Sequence, residues 1–205
     1  MSTTKIKICG LSRPEDIEAA NKLRPDYVGF VFFEKSRRCV SFERASALRM
    51  ILEPKIKAVG VFVDAPIETV SELLSRGIID IAQLHGHEDE EYIASLRALT
   101  DKPLIQAFQI RSGQSAEEVL RRAEKSSCDY VLIDSGAGSG EVFDWSLLKG
   151  FSREYFLAGG LDSENVAEAI LETGAFAVDV SSNLETDGHK DEKKMKDFVN
   201  AVRNA

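Results

Sequence analysis

Cysteine is scarce in this sequence. It occurs at three positions, Cys9, Cys39 and Cys128, an odd number, widely spaced and with no CxxC pair. That pattern suggests neither a disulfide framework nor a zinc site, and it suits a reducing, cytoplasmic compartment. Long apolar runs are missing too. Nothing approaches the ~20 consecutive apolar residues of a membrane helix, and the opening MSTTKIKIC lacks the apolar stretch of a secretory signal. Positive charge is in deficit: 26 basic against 34 acidic side chains leave a net charge of −8. This disfavours nucleic acid or an anionic membrane as partner. A small anionic ligand stays open, because a cluster of N–H groups and one arginine can outweigh the global field. There is no linker, no low-complexity segment and no internal repeat. No glycine-rich nucleotide fingerprint follows the first strand-like segment.

What is present is a monotonous alternation. The 205 residues are 43% hydrophobic and 29% charged, ordinary for a globular chain, and the length suits one domain covering 1–205. Strand-like segments fall at 5–9, 27–32, 56–63, 79–84, 103–108, 129–134, 155–158 and 176–180. Helix-like segments lie between them at 14–22, 42–53, 66–76, 89–98, 115–125, 145–149, 162–173 and 191–203. Pro14 with Glu15 and Asp16 makes a good first helical turn. Ser41 and Asp162 stand at cap positions, and Gly174 follows its helix as a terminator should. Several strands are near-continuous apolar runs, as when both faces of a parallel sheet are buried. Eight strand–helix pairs in one chain predict an α/β fold, a parallel (β/α)8 barrel, in preference to an open doubly wound sheet.

Such a barrel carries its chemistry at the C-terminal ends of its strands. Strand one ends in Cys9 and strand six in Asp134. A carboxylate closing the apolar run VLID is costly to bury unless it is paired or used. A thiol and a carboxyl group on distant strands of one ring could remove a proton at one atom and deliver one to another. An isomerisation needs that pair and no cofactor. Strand four runs into Gln83 and His85, candidates to line the mouth. Gly159-Gly160 after strand seven, and Ser181, Ser182 and Asn183 after strand eight, fall in the two loops that commonly hold a phosphate. Arg38, after strand two, offers a planar fork for a carboxylate, whereas Arg37 reads as solvated. The run HGHEDEE (85–91) looks like a metal cluster on paper, but Glu88, Asp89 and Glu90 fit better as the acidic start of a helix. No metal is expected.

These motifs assemble into a resemblance that spans essentially the whole chain. KICGL (7–11), DYVGFVFFEKSRRCVS (26–41), VGVFVD (59–64), QLHG (83–86), LIDS (132–135), GSGEVFDW (138–145), LAGGLDSENV (157–166), VDVSSNLET (178–186) and GHKD (188–191) resemble the phosphoribosylanthranilate isomerase family of tryptophan biosynthesis. The resemblance implies a TIM barrel that needs no cofactor, a small phosphorylated substrate, and an Amadori rearrangement of an aminoaldose to an aminoketose. It implies Cys9 as general base, Asp134 as general acid, Arg38 as the group that meets the anthranilate carboxylate, and Gly159, Gly160, Ser181, Ser182 and Asn183 at the phosphate. A thiol base of this kind calls for a pKa below the usual value of about 8.5.

Three positions depart from the family's pattern. Asn183 stands where glycine is usual, and asparagine tolerates a positive φ. Cys39 stands where an aromatic is common, and Glu141 follows GSG in place of a basic residue or threonine. Two rivals remain in view. A sister isomerase of the histidine pathway would carry an aspartate in place of Cys9 and bind two phosphates. A phosphate-binding barrel without catalysis would have no physical reason to keep Cys9, Asp134 and Arg38 together. The family implies a monomer or a homodimer.

Overall fold

Apolar residues recur at every second position of the strand segments, and the parity decides which side chains enter the barrel. The computed structural model describes residues 4–110, 113–134 and 144–205. The chain alternates β1 (Lys5–Cys9), α1 (Pro14–Leu23), β2 (Tyr27–Val31), α2 (Phe42–Ile51), β3 (Lys57–Phe62), α3 (Ile67–Ser75), β4 (Ile81–Leu84) and α4 (Glu90–Arg97). It continues through β5 (Leu104–Gln109), α5 (Ala116–Lys125), β6 (Tyr130–Asp134), β7 (Tyr155–Ala158), α6 (Val166–Thr173), β8 (Ala177–Val180), the two-residue strands β9 (Glu185–Thr186) and β10 (His189–Lys190), and α7 (Glu192–Asn204). Strands β1 to β8 close into one barrel in sequence order, and β1 pairs in parallel with both β2 and β8. Among the described residues no helix is long and apolar enough to cross a membrane.

Local chemistry sets the helix starts. The side chains of Ser41, Asp89, Ser115 and Asp191 each accept backbone N–H bonds in the first turns of α2, α4, α5 and α7. Asp16 does the equivalent for α1, taking the N–H groups of Ser12 and Arg13. The sequence places the sixth helix at 145–149. The structure has only a 3-10 turn there, Trp145–Leu148. Five residues between the Asp144 cap and Gly150, whose φ is +87°, are too few for an α-helical ladder. α6 begins at Val166, later than the sequence suggests, because the Asp162 side chain accepts from Glu164 and Asn165 and holds a separate turn. The hairpin of β9 and β10 has no counterpart in the sequence reading; two-residue strands carry no periodicity to read.

Ile6 and Ile8 of β1, with Val28 and Phe30 of β2, point outward into the large core beneath the helices. The opposite parity points inward. The barrel's lower interior is apolar: Val59, Ile81, Ile105, Leu132, Phe156 and Ala177 pack together, with Tyr27, Tyr130 and Phe176 against them. Tyr130 stacks on Phe176 and meets Phe156 edge-on. Each fully buried side chain of this size contributes about 1.5–3 kcal/mol. One turn of the pleat higher, the same inward positions become Cys9, Gln83, Gln109, Asp134, Ala158 and Asp179. The change from apolar floor to polar mouth makes the upper end the chemical one.

Candidate active site

Lys7 and Asp179 are neighbours in the β1–β8 register and both point inward. Their ion pair measures 2.8 Å, with Lys7 fully buried. Burial alone would pull the lysine's pKa down, but the Asp179 carboxylate, with Cys9, outweighs it and holds Lys7 above its ordinary value. Cys9 follows two residues later on the same face. The sequence asks for a lowered thiol pKa, and the structure differs: burial pushes the Cys9 thiol up, and the nearby ammonium groups of Lys7 and Lys190 offset this only in part. The resting group is therefore a thiol.

Two glycines make the space around it. A Cβ on Gly29, the residue paired with Cys9 across β1 and β2, would lie 2.6 Å from the Cys9 sulfur. Gly10 has a φ of +81°, and a Cβ there would meet the Arg38 Cδ. The glycine of KICG thus turns the chain out of β1 and leaves room for the arginine stem.

Asp134 ends β6 on the opposite wall. His85 Nε2 stands 3.6 Å from its Oδ2. The His85 Nδ1 lies 2.8 Å from the Gln83 amide nitrogen, and the Gln109 amide lies 3.3 Å from His85 Nε2. Gln83 and Gln109 thus present amide N–H donors to the two ring nitrogens, of which a neutral imidazole accepts at one, and Nε2 is the nitrogen nearer Asp134. Among the described residues, Gln83 Oε1 and Asp179 Oδ1 are the buried side-chain acceptors without a partner.

Cys9, Arg38, Gln83, His85, Asp134, Gly159, Gly160, Asp179, Ser181, Ser182 and Asn183 all line one cavity of about 240 Å³. Each site residue read from the sequence is therefore brought to one place. Val31, Val61, Ala158 and Val180 give it an apolar side. Gly159 and Gly160 have φ of +95° and +67°, backbone that only glycine adopts without strain. Asn183 does not use a positive φ, contrary to the sequence expectation. It sits in the 3-10 turn Ser182–Leu184, and its amide donates to the Leu161 carbonyl at 3.0 Å, tying the two loops together. Ser181 Oγ donates to the Cys9 carbonyl at 3.0 Å.

Other readings find plain structural places. Glu88 is buried and accepts from the Asp64 and Gly86 backbones, a loop clamp instead of a helix start. Cys128 is buried, its thiol pushed up to about 12 chiefly by desolvation. Arg37 is not merely solvated: it reaches Glu185 at 2.6 Å. Sequence reasoning missed Lys7 as a site residue, and also Asp179, Glu185 and Lys190. Lys7 carried a signal, since a charge two residues before Cys9 shares its face. The glycine-rich segment 135–143, with Ser135 and Glu141, lies outside the described residues.

Comparison with known proteins gives a consistent picture. A family model described as N-(5'phosphoribosyl)anthranilate (PRA) isomerase matches residues 6–201. A protein from Thermoanaerobacter sp. (strain X514), named N-(5'-phosphoribosyl)anthranilate isomerase, is 43% identical over 202 residues, covering 97% of this chain and 98% of that protein. One from Endomicrobium trichonymphae with the same name is 41% identical over 204 residues, covering 97% of this chain and 98% of its own. The crystal structure of phosphoribosyl anthranilate isomerase from Thermotoga maritima superposes with a TM-score of 0.87 at 34% identity, covering 98% of this chain and all of that one. A further crystal structure, of a phosphoribosyl anthranilate isomerase in complex with reduced 1-(o-carboxyphenylamino)-1-deoxyribulose 5-phosphate, gives a TM-score of 0.85 at 33% identity, covering 98% of this chain and all of that one.

Proposed function

Given that the chain belongs to the N-(5'-phosphoribosyl)anthranilate isomerase family of tryptophan biosynthesis, we propose that it performs the family's aldose-to-ketose isomerisation by general acid–base catalysis, with Asp134 as acid and Cys9 as base. The substrate is N-(5'-phosphoribosyl)anthranilate and the product 1-(2-carboxyphenylamino)-1-deoxyribulose 5-phosphate. One observation carries the reading. The thiol, the carboxyl group, an arginine and two glycine- and serine-bearing loops line a single small cavity.

The phosphate is held at Gly159, Gly160, Ser181, Ser182 and Asn183, and the anthranilate carboxylate at Arg38. This stretches the ribose between Cys9 and Asp134. Asp134, carrying its proton, gives it to the ring oxygen as the C1'–oxygen bond breaks, and the anthranilate nitrogen lone pair closes to an iminium. His85 orients the carboxyl group. The iminium withdraws electrons from C2' and acidifies its hydrogen. Cys9 as thiolate takes that proton, and the bonding pair becomes the C1'–C2' double bond of an enolamine. Tautomerisation, with a proton delivered to C1', gives the ketone. The raised thiol pKa fits this order: the thiol gives its proton to solvent only once the ring has opened, when the cation forming beside Cys9, added to Lys7 and Lys190, favours the thiolate. The unpartnered acceptors Gln83 Oε1 and Asp179 Oδ1 suit the hydroxyl groups of an opened sugar. The described mouth is complete within one chain, so a monomer or a homodimer can carry it. The relative from Thermotoga maritima is a dimer.

A coupled fluorescence assay tests the proposal. Anthranilate and phosphoribosyl pyrophosphate, with the phosphoribosyltransferase, generate the labile substrate in place, and its emission falls as it is consumed. Wild type is expected to be active, with losses of about 10² or more in Cys9→Ala and in Asp134→Asn. An inactive, folded wild type, or a variant retaining full rate, would overturn the assignment.

A further inference from the structure

Arg38 does not stand alone at the mouth. The buried carboxylate of Glu185, on the hairpin after β8, grips one edge of its guanidinium. Nε meets Oε1 at 2.5 Å and Nη2 meets Oε2 at 3.0 Å. The same carboxylate takes Arg37 Nη2 at 2.6 Å and Lys190 Nζ at 2.9 Å. Lys190, itself buried, also donates to the Ser181 carbonyl at 2.9 Å, and Lys194 donates to the Glu185 carbonyl at 2.7 Å. From below, the arginine stem lies where a Cβ of Gly10 would be.

The geometry has a consequence for recognition. The side-on edge, Nε with Nη2, is occupied. The bonds of Arg38 to Glu185 leave the end-on edge, Nη1 with the second hydrogen of Nη2, and Arg38 lines the cavity. An arginine on a loop loses side-chain freedom when it binds a ligand; one already held on one edge presents the other with that ordering done. Charge agrees. Three cations, Arg37, Arg38 and Lys190, surround one carboxylate, leaving a surplus of two positive charges for an incoming anion. Burial alone would raise the Glu185 carboxyl, but its bonds to Arg38 and Lys190 hold it below the usual range, so it stays ionised.

We propose that Glu185 is the positioning residue for recognition of the substrate's aryl carboxylate: it holds Arg38 by the side-on edge, over the gap left by Gly10, so that the end-on edge faces the cavity. This rests on the reading of Arg38 given above. Glu185 itself touches no substrate.

Steady-state kinetics of Glu185→Gln, Arg38→Met and the double variant Glu185→Gln/Lys190→Met would test it, with anthranilate and inorganic phosphate as inhibitors. The double variant removes the lysine that the single change leaves buried and unpaired, so a folded protein remains available. In Glu185→Gln, KM should rise about tenfold or more, with kcat within about threefold. In the double variant, KM should rise about tenfold or more, with kcat lowered by the loss of Lys190. Anthranilate inhibition should weaken by a similar factor, and phosphate inhibition should stay as in wild type. A purely structural role would move both inhibitors together, and that result would overturn the proposal. A KM unchanged in the Glu185 variants but raised in Arg38→Met would overturn it while leaving Arg38 in place. A KM and anthranilate inhibition unchanged in Arg38→Met would instead remove the Arg38 reading itself.

Discussion

The two walls of the barrel mouth are built from different chemistry. Around Cys9, on β1, β8 and the hairpin, the buried groups are charged: Lys7 with Asp179 at 2.8 Å, and Glu185 with Lys190 at 2.9 Å. Around Asp134, on β4 to β6, the neighbours are two amides and an imidazole, Gln83, Gln109 and His85. The difference follows from what each wall must do. A thiolate inside a barrel loses most of its hydration, so it needs fixed positive charge nearby. An acid that acts in its neutral form needs orientation more than field. The mouth is thus electrostatically one-sided, with base and arginine on the charged wall.

The sharpest way to break the contrast is Lys7→Met. It leaves Asp179 buried and uncompensated, which should cost about 3–5 kcal/mol of stability, measurable by denaturant unfolding. Loss of the ammonium should also raise the Cys9 thiol further, so alkylation of Cys9 by iodoacetamide should move to higher pH than in wild type. Lys7→Met/Asp179→Leu should regain most of the stability but not the activity. Recovery of activity in the double variant would show that the pair serves packing alone.

A smaller effect is expected from Gly29→Ala. The new methyl carbon would lie 2.6 Å from the Cys9 sulfur and 3.0 Å from its Cα. The backbone or the thiol must shift, costing about 1–3 kcal/mol, and kcat should fall while phosphate inhibition holds. An unchanged kcat would mean that the thiol's place is not critical.

How much of this contrast the sequence carries varies by residue. The barrel is legible because β1 to β8 each show apolar periodicity bounded by a cap or a turn, and Cys9, Asp134, Gly159 and Ser181 stand at strand ends where the fold puts chemistry. The partners were harder to read. Lys7 and Asp179 lie 172 positions apart, and only barrel closure, pairing the first strand with the eighth, brings them together. Glu185 and Lys190 sit in a hairpin too short to announce itself. Asn183 illustrates the reverse case: its residue type allows a positive φ, yet the loop uses its side chain as a tie to Leu161.

The smallest effect concerns acid stability. The Glu185 carboxyl is held below its ordinary value in the folded protein, despite its burial, by Arg38 and Lys190. Its contribution is present above the unfolded carboxyl pKa of about 4.3 and is lost as pH falls through the lower, folded value. Wild type should therefore lose stability more steeply on acidification below about pH 5 than Glu185→Gln does. Equal slopes in chemical denaturation across pH 3 to 6 would contradict the role given to this group.

The division of labour between the walls is tested most directly by the rate of C2'–H cleavage. Single-turnover rates would be measured with substrate carrying hydrogen or deuterium at C2', for wild type, Cys9→Ser and Asp134→Asn. The account predicts a normal primary isotope effect in wild type. It should grow in Cys9→Ser, where proton removal slows, and shrink in Asp134→Asn, where ring opening becomes the slow step. An isotope effect unchanged in Cys9→Ser but enlarged in Asp134→Asn would place the base on the opposite wall and contradict the account.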